Sequence, residues 1–436
     1  MTRVSRALSG ALTLGLVLGV AACGSGDDGG SGGATAGGDG DWSGQTLTVW
    51  IMEGTNPDAG PFFDEVATAF EEETGATLDV QFQPWASAHD KFTTAIAGGT
   101  TPDVAEVGTT WTPEFAEAGA LADLTDLVSD AGLDDDLVAG LQEAGTVDGS
   151  LYGMPWYAGV RAFVYRTDLF EQAGLEVQTT WDELRETALA LKAAYPDTTA
   201  WPIAGDSQYG VMPFVWGAGG EMATLDGDTW TSGIDSDEAR EGIAFYTGMA
   251  LDEGVSTAAA TTWKETDLLK AFEQGQAAMM ITGSWTPKTI LTDAPDLEGK
   301  IGAFPIPGQT EGLSGSFLGG SHLGIFNESD QQDLAWEFVR LMTTGEFAER
   351  WAQEANYFPG QASLLDAAAE SDDPLVAPFA RQMVEAGASL PVTPLYGEIQ
   401  GKKTVETMLQ SILSGKQTVE EATTTAAEDM NATFEQ

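Results

Sequence analysis

Two stretches of the chain run strand-forming residues into a glycine and then present a tryptophan. They are "DVAEVGTTW", closing at Trp111, and "AAMMITGSW", closing at Trp285. Three more indoles sit at similar punctuation: Trp85 after Pro84, Trp156 after Pro155, and Trp216 ahead of "GAGG". Such rings offer broad apolar faces and a single N–H donor, so their chemistry at a loop mouth is stacking rather than catalysis. Polar residues accompany them. Glu53 falls immediately past the strand-forming run "TLTVWIM", where it can accept hydrogen bonds. Arg161 is the one charge in the otherwise apolar run from Val160 to Tyr165. A charge inside a strand must find partners, because leaving it buried and unpaired is very costly.

The elements that must position these residues alternate. "TLTVWIM" reads as a strand, and Phe63, Val66, Ala67 and Phe70 at helical spacing read as a helix ending at Gly75. "ATLDVQF" is a second strand, Ala86–Ala97 a second helix closed by Gly98–Gly99, and "DVAEV" a third strand. A short helix, Thr112–Ala118, follows. This alternation signals an α/β lobe with a largely parallel sheet, whose ligands bind beyond the carboxyl ends of the strands. Glu53, Trp85 and Trp111 all fall there. Farther on, Thr180 with Glu183 predicts a capped helix start, Ala277–Ile281 a strand, "GGSHLGIF" another, and Asp333–Glu354 and Val405–Leu413 helices. A body of nearly 400 residues is expected to form two domains.

The start of the chain has the pattern of an export signal. Arg3 and Arg6 precede "ALTLGLVLGV", and "VAAC" ends in Cys23, the only cysteine of the chain. "LGVAAC" resembles a bacterial lipobox, which implies removal of residues 1–22 and lipid attachment at Cys23. Residues 23–41, rich in Gly, Ser and Asp, are expected to act as a flexible tether. The G-x-G-x-x-G from Gly24 to Gly29 lies there without a strand before it or a helix after it, so no dinucleotide site is expected. Without Arg3 and Arg6 the chain holds 16 basic against 68 acidic residues, a net of −52 with neutral histidines. Nucleic acid and anionic lipid surfaces are repelled by such a charge. No G-x-S-x-G elbow between a strand and a helix, H-E-x-x-H or calcium-loop pattern is present, and two isolated histidines with one cysteine do not make a zinc site. No cofactor and no metal are expected.

The segments "LTVWIMEG", "FEEETGATLDVQF", "DKFTTAIAGGTTPDVAEVGTTW", "LYGMPWYAGVRAFVYRTDLFEQAG", "AFEQGQAAMMITGSW", "GGSHLGIF" and "DLAWEFVRLMTTGEFAERWAQEANYFPG" occur in register. Together they resemble the sugar-type extracellular solute-binding proteins of ABC importers, the broad family of the maltose-binding proteins, over nearly all of 45–436. The resemblance implies a two-lobed periplasmic-binding-protein-like (type II) α/β fold. Each lobe would be a mainly parallel sheet flanked by helices, joined by a multi-segment hinge. Lobe one would take 42–156 and 305–355, lobe two 157–304 and 356–436, with crossings near Trp156–Val160, Phe304–Gly308 and Ala355–Phe358. It further implies a monomeric, membrane-anchored receptor on the extracytoplasmic face, which captures a neutral carbohydrate by hinge closure and delivers it to a permease.

A sugar ring has apolar C–H faces for indoles and hydroxyl edges for polar groups. Trp111 and Trp285 are expected to face each other across the cleft. Trp85, Trp156 and Trp216 are candidates for the same cleft or for packing, and Glu53 for a hydroxyl contact. Arg161 is expected beside the ligand, or in an interlobe ion pair. His322 in "GGSHLGIF" and Tyr357 in "NYFPG", both near crossings, are further candidates, whereas His89 is expected on a solvated helix face. Trp50, Trp181, Trp201, Trp336 and Trp351 fit core packing. Two other readings share the composition: a secreted carbohydrate-active hydrolase, which needs two carboxylates about 5–10 Å apart, and a surface lipoprotein without a transport role.

Overall fold

In the computed structural model, residues 42–227, 229–369 and 371–436 are described; the expected signal segment, Cys23 and the tether lie outside them. The chain begins with the expected alternation. Strand β1 (Thr46–Glu53) leads to helix α1 (Gly60–Thr74), strand β2 (Thr77–Pro84), helix α2 (Trp85–Gly98), strand β3 (Val104–Gly108) and helix α3 (Thr112–Glu117). Helices α1 and α2 stop where Gly75 and Gly99 adopt φ of 76° and 62°, a left-handed conformation that costs glycine nothing. β2 and β3 both pair with β1 in parallel.

Three later strands complete this sheet: β4 (Met154–Gly159), β8 (Gly319–Ile325) and β9 (Phe358–Pro359). Between β4 and β8 the chain forms β5 (Arg161–Arg166), β6 (Met279–Gly283) and β7 (Ile301–Phe304). The six-stranded sheet has the order β9-β4-β8-β3-β1-β2, and β6-β5-β7 form a second sheet. β8 and β9 run against the direction of the other four strands of the first sheet. In the second sheet both neighbours of β5 are antiparallel to it, unlike the parallel arrangement expected for each lobe. β5 enters directly from β4 across Val160, so the crossing fixes its direction. Its neighbours arrive from helices of the second lobe and run the other way.

Membership of the two sheets puts the first crossing at Val160, within the expected Trp156–Val160, and moves the other two. β4 carries the first sheet through Gly159, and β9 keeps Phe358 and Pro359 with it. Ile306 and Phe317 pack into the second lobe's core with Phe163, Phe214 and Tyr396. The chain therefore returns to the first sheet only at Gly319. Each lobe has an apolar interior of its own, one around Val49, Phe63, Trp156, Leu323 and Trp351, the other around Trp201, Phe214, Tyr246 and Leu409.

Candidate functional site

Trp111 and Trp285 are placed by the same local device. β3 ends at Gly108, Trp111 caps the next helix, and Thr112–Pro113 starts it. β6 ends at Gly283, Trp285 caps helix α4 (Thr286–Asp293), and Thr286–Pro287 starts that. Proline in the first helical turn lacks only an N–H that would be unpaired anyway. Glycine ahead of the ring lets the backbone pass beneath it. At Gly108 the approach is looser, since an added Cβ would lie at ordinary contact distance, 3.5 Å from Trp85 and 3.6 Å from Trp111. The Trp285 ring lies so close over Gly159 and Gly283 that a side chain on either would collide with it.

Between the lobes is a cavity of about 310 Å³, at the small end of the usual range for small-molecule clefts. The carboxyl ends of β1, β2 and β3 open into it with Glu53, Trp85 and Trp111, and the second lobe contributes Arg161, Tyr209, Glu265 and Trp285. Trp85 and Trp111 form one wall, their rings 5.5 Å apart and tilted by 53°. Trp285 lies 5.3 Å from Tyr357, which stacks on Tyr157 at 3.8 Å. Six of the nine candidate residues therefore line one cavity: Glu53, Trp85, Trp111, Arg161, Trp285 and Tyr357.

The other three do not reach it. Trp156 is 2% exposed and stacks on Trp351 at 5.1 Å and 9°, inside the first lobe's core. Trp216 packs on the second lobe's core beneath Gly315. His322 is fully buried, bonded to Thr112 Oγ1 at 2.8 Å and to the Leu141 carbonyl at 2.9 Å. Alternation along β8 turns its neighbour Ser321 to the cavity instead. Burial lowers the His322 imidazole to about 4. His89, expected in solvent, lines the cavity and meets Glu114 at 2.9 Å.

Arg161 has its partner within its own lobe rather than across the cleft. Its Nε and Nη2 donate to the two carboxylate oxygens of Glu265 at 2.8 and 3.1 Å, and its guanidinium lies 3.7 Å over the Tyr209 ring. Lys403 is likewise held by Asp206 at 3.2 Å. These pairings neutralise two of the cavity's cations. The Trp111 Nε1 and Gln400 Oε1 atoms are buried without a partner in the cavity wall. Among the described residues no group of three or more His, Cys, Asp or Glu side chains is arranged to hold a metal ion.

The lobes touch at two places around the cavity. At one, Trp285 Nε1 donates to Thr55 Oγ1 at 2.7 Å, and Thr289 Oγ1 donates to the Thr55 carbonyl at 2.9 Å. At the other, helix α5 (Pro394–Gly401) presses Gly397 and Gly401 against Glu114 and His89. These contacts join the two lobes beside the cavity. Glu106, inside strand β3, accepts hydrogen bonds beneath the cavity floor from Met52, Tyr157 and Ser321. The signal that singled out Arg161, a charge within a buried strand, was present there as well.

The sequence model of the bacterial extracellular solute-binding proteins matches residues 53–348. The diacetylchitobiose binding protein DasA of Streptomyces coelicolor is 31% identical over 413 residues, 92% of this chain and 92% of its own. An ABC transporter solute-binding protein from Thermotoga lettingae, crystallised with α-D-tagatose, superposes with a TM-score of 0.81 at 28% identity, covering 89% of this chain and 100% of its own. The sugar-binding protein MalE of Xanthomonas citri gives 0.72 at 25%, covering 90% and 98%. With the family match spanning more than half its length and an interlobe cavity walled by aromatic rings, this chain belongs to the bacterial extracellular solute-binding proteins.

Proposed function

We propose that the protein is the substrate-binding component of an ABC importer, capturing a neutral mono- or oligosaccharide between its lobes without catalysis and delivering it to a membrane permease. The observation that carries this reading is the placement of Trp85 and Trp111 on one lobe and Trp285 on the other, lining one cavity of sugar-sized volume. Indole faces cover the C–H faces of a pyranose, while Glu53, Arg161, Tyr357 and the unpartnered Trp111 N–H and Gln400 oxygen are available to its hydroxyls. Pairing of Arg161 with Glu265 and of Lys403 with Asp206 leaves little attraction for an anionic ligand. The relatives that bind diacetylchitobiose and tagatose point to the same uncharged class.

Closure would be a hinge motion at the chain crossings, drawn to the closed state by the ligand's contacts with both lobes. A lipid on Cys23 and the following Gly-rich tether would hold this monomeric receptor at the outer face of the membrane.

Thermal denaturation with α-D-tagatose, maltose, maltotriose, lactose and diacetylchitobiose tests the reading. A binder present at about 100 times its Kd stabilises by about 2.7 kcal/mol. At least one of these sugars is expected to raise the Tm, and Trp111→Ala or Trp285→Ala to abolish the rise. A panel without any shift overturns the sugar reading. Variants that respond like wild type overturn the assignment of the walls.

A further inference from the structure

Beneath the cavity lies a carboxylate that is not part of its wall. Glu106, on the central strand β3, is 1% exposed. Its Oε2 accepts from the Met52 amide at 2.7 Å. Its Oε1 accepts from Ser321 Oγ at 2.7 Å and from the Tyr157 hydroxyl. Both of these hydroxyls belong to residues that line the cavity. An ionised carboxylate has no hydrogen to give, and each hydroxyl has only one. Tyr157 and Ser321 must therefore send their hydrogens down to Glu106. What they keep for other partners is oxygen lone pairs, with the Tyr357 hydroxyl already beside that of Tyr157.

We propose that Glu106 is a positioning residue that fixes the hydroxyls of Tyr157 and Ser321 as acceptors, so that the cavity floor selects ligand groups that donate hydrogen bonds. The proposal rests on the sugar-binding reading and sharpens it. A free sugar hydroxyl or an acetamido N–H suits this floor. An ether oxygen, a carbonyl or a carboxylate at the same point meets lone pairs and is rejected, since a buried acceptor left unmatched is costly.

The alternative is that Glu106 only ties four strands together. The two roles separate through pH. Burial pushes the Glu106 carboxyl up to about 7, against the opposing pull of the hydrogen bonds from Tyr157, Met52 and Ser321. The groups around it come from every neighbouring strand. β1 supplies the Met52 amide, β8 the Ser321 hydroxyl, β4 Tyr157, and the segment before β9 Tyr357. The two tyrosines are held well above their ordinary range, first by burial and then by Glu106 itself, so they stay neutral throughout. His322 faces the other side of β8. Once protonated, Glu106 donates to one of its two hydroxyls and frees that hydroxyl's hydrogen to point into the cavity. A donating ligand prefers the ionised form. Binding therefore strengthens as pH rises through about 7 and levels off above it.

The experiment is calorimetric titration of the most stabilising sugar of the panel between about pH 5.5 and about pH 8.5. Wild type is expected to bind about 5- to 10-fold more tightly at the upper end, the value of one neutral hydrogen bond. Glu106→Gln is expected to bind with an affinity independent of pH. That comparison also separates Glu106 from Glu406, another cavity carboxyl raised by burial. Should Glu106→Gln not fold, Tyr157→Phe combined with Ser321→Ala asks the same question, because without hydroxyls to orient the profile must flatten. A wild-type affinity indifferent to pH, or a wild-type profile retained in either variant, overturns the proposal alone. A panel in which no sugar binds at any pH overturns the functional reading, and this proposal with it.

Discussion

Replacing Arg161 by methionine isolates the energetics of the second lobe's cavity wall. Arg161 is 6% exposed and makes two charge-assisted hydrogen bonds, of 2.8 and 3.1 Å, to Glu265, whose side chain is 20% exposed. Breaking a fully buried pair by removing one partner costs about 3–5 kcal/mol, and losing an exposed pair costs about 0–1 kcal/mol. The geometry lies between these limits but nearer the first, so the loss should be about 2–3 kcal/mol. The guanidinium also lies 3.7 Å over Tyr209. A methionine thioether keeps a favourable contact with that ring, so this part of the change roughly cancels. For a melting unit of about 200 residues, the expected fall in Tm is about 5–8 °C. Thermal denaturation followed by circular dichroism measures it. The decisive comparison adds Glu265→Gln. Much of the cost in Arg161→Met is an abandoned carboxylate, so the double variant should recover about 1.5–2 kcal/mol relative to the sum of the single changes. Additivity within about 0.5 kcal/mol would refute the reasoning, as would a single variant that melts like wild type.

Two other perturbations test the closed contact and the buried histidine. In Gly401→Ala the new methyl carbon would sit 2.5 Å from the His89 ring of α2, so that ring or α5 must shift. Overpacking of about 1–3 kcal/mol should weaken sugar binding roughly 5- to 150-fold. Adding His89→Ala should restore it, and an unchanged Kd in Gly401→Ala contradicts the contact. His322, lowered to about 4 by burial, is neutral in the fold, whereas in the unfolded chain it titrates near 6.5. Its contribution is full above about pH 6.5 and is lost as pH falls through about 4, a difference of at most about 3 kcal/mol. Urea denaturation at several pH values should give His322→Gln a shallower loss of stability on acidification than wild type, and coincident slopes would contradict the burial.

Pairs of residues with nearly identical local signals show where sequence reasoning succeeds and where it stops. Trp111 and Trp285 each follow a strand, a glycine and one or two hydroxyl residues, and both line the cavity, because β3 and β6 each end at it. Trp85 and Trp156 each follow a proline, yet only Trp85 lines the cavity; Trp156 stacks on Trp351, nearly 200 positions away along the chain. Ser321 and His322 are neighbours on one strand, and one step along it separates a cavity residue from a core residue. Arg161 and Glu106 are both charges in buried strands. The rule that such charges must find partners applies to both, but it does not say which partners, and only the fold brings Ser321 within reach of Glu106 across 215 positions.

The sequence by itself determined the period and order of the elements, the glycine and proline signals that end strands and start helices, and the aromatic character of the loop mouths. These depend on backbone sterics and on side-chain patterns spanning a few residues. Tertiary structure alone decided which face of each strand looks across the cleft, that Arg161 pairs with Glu265 in its own lobe, and that α5 closes against His89 and Glu114. Those outcomes depend on contacts between segments far apart in the chain. A strand's periodicity says that its side chains alternate, but what packs against each face is supplied by the rest of the molecule.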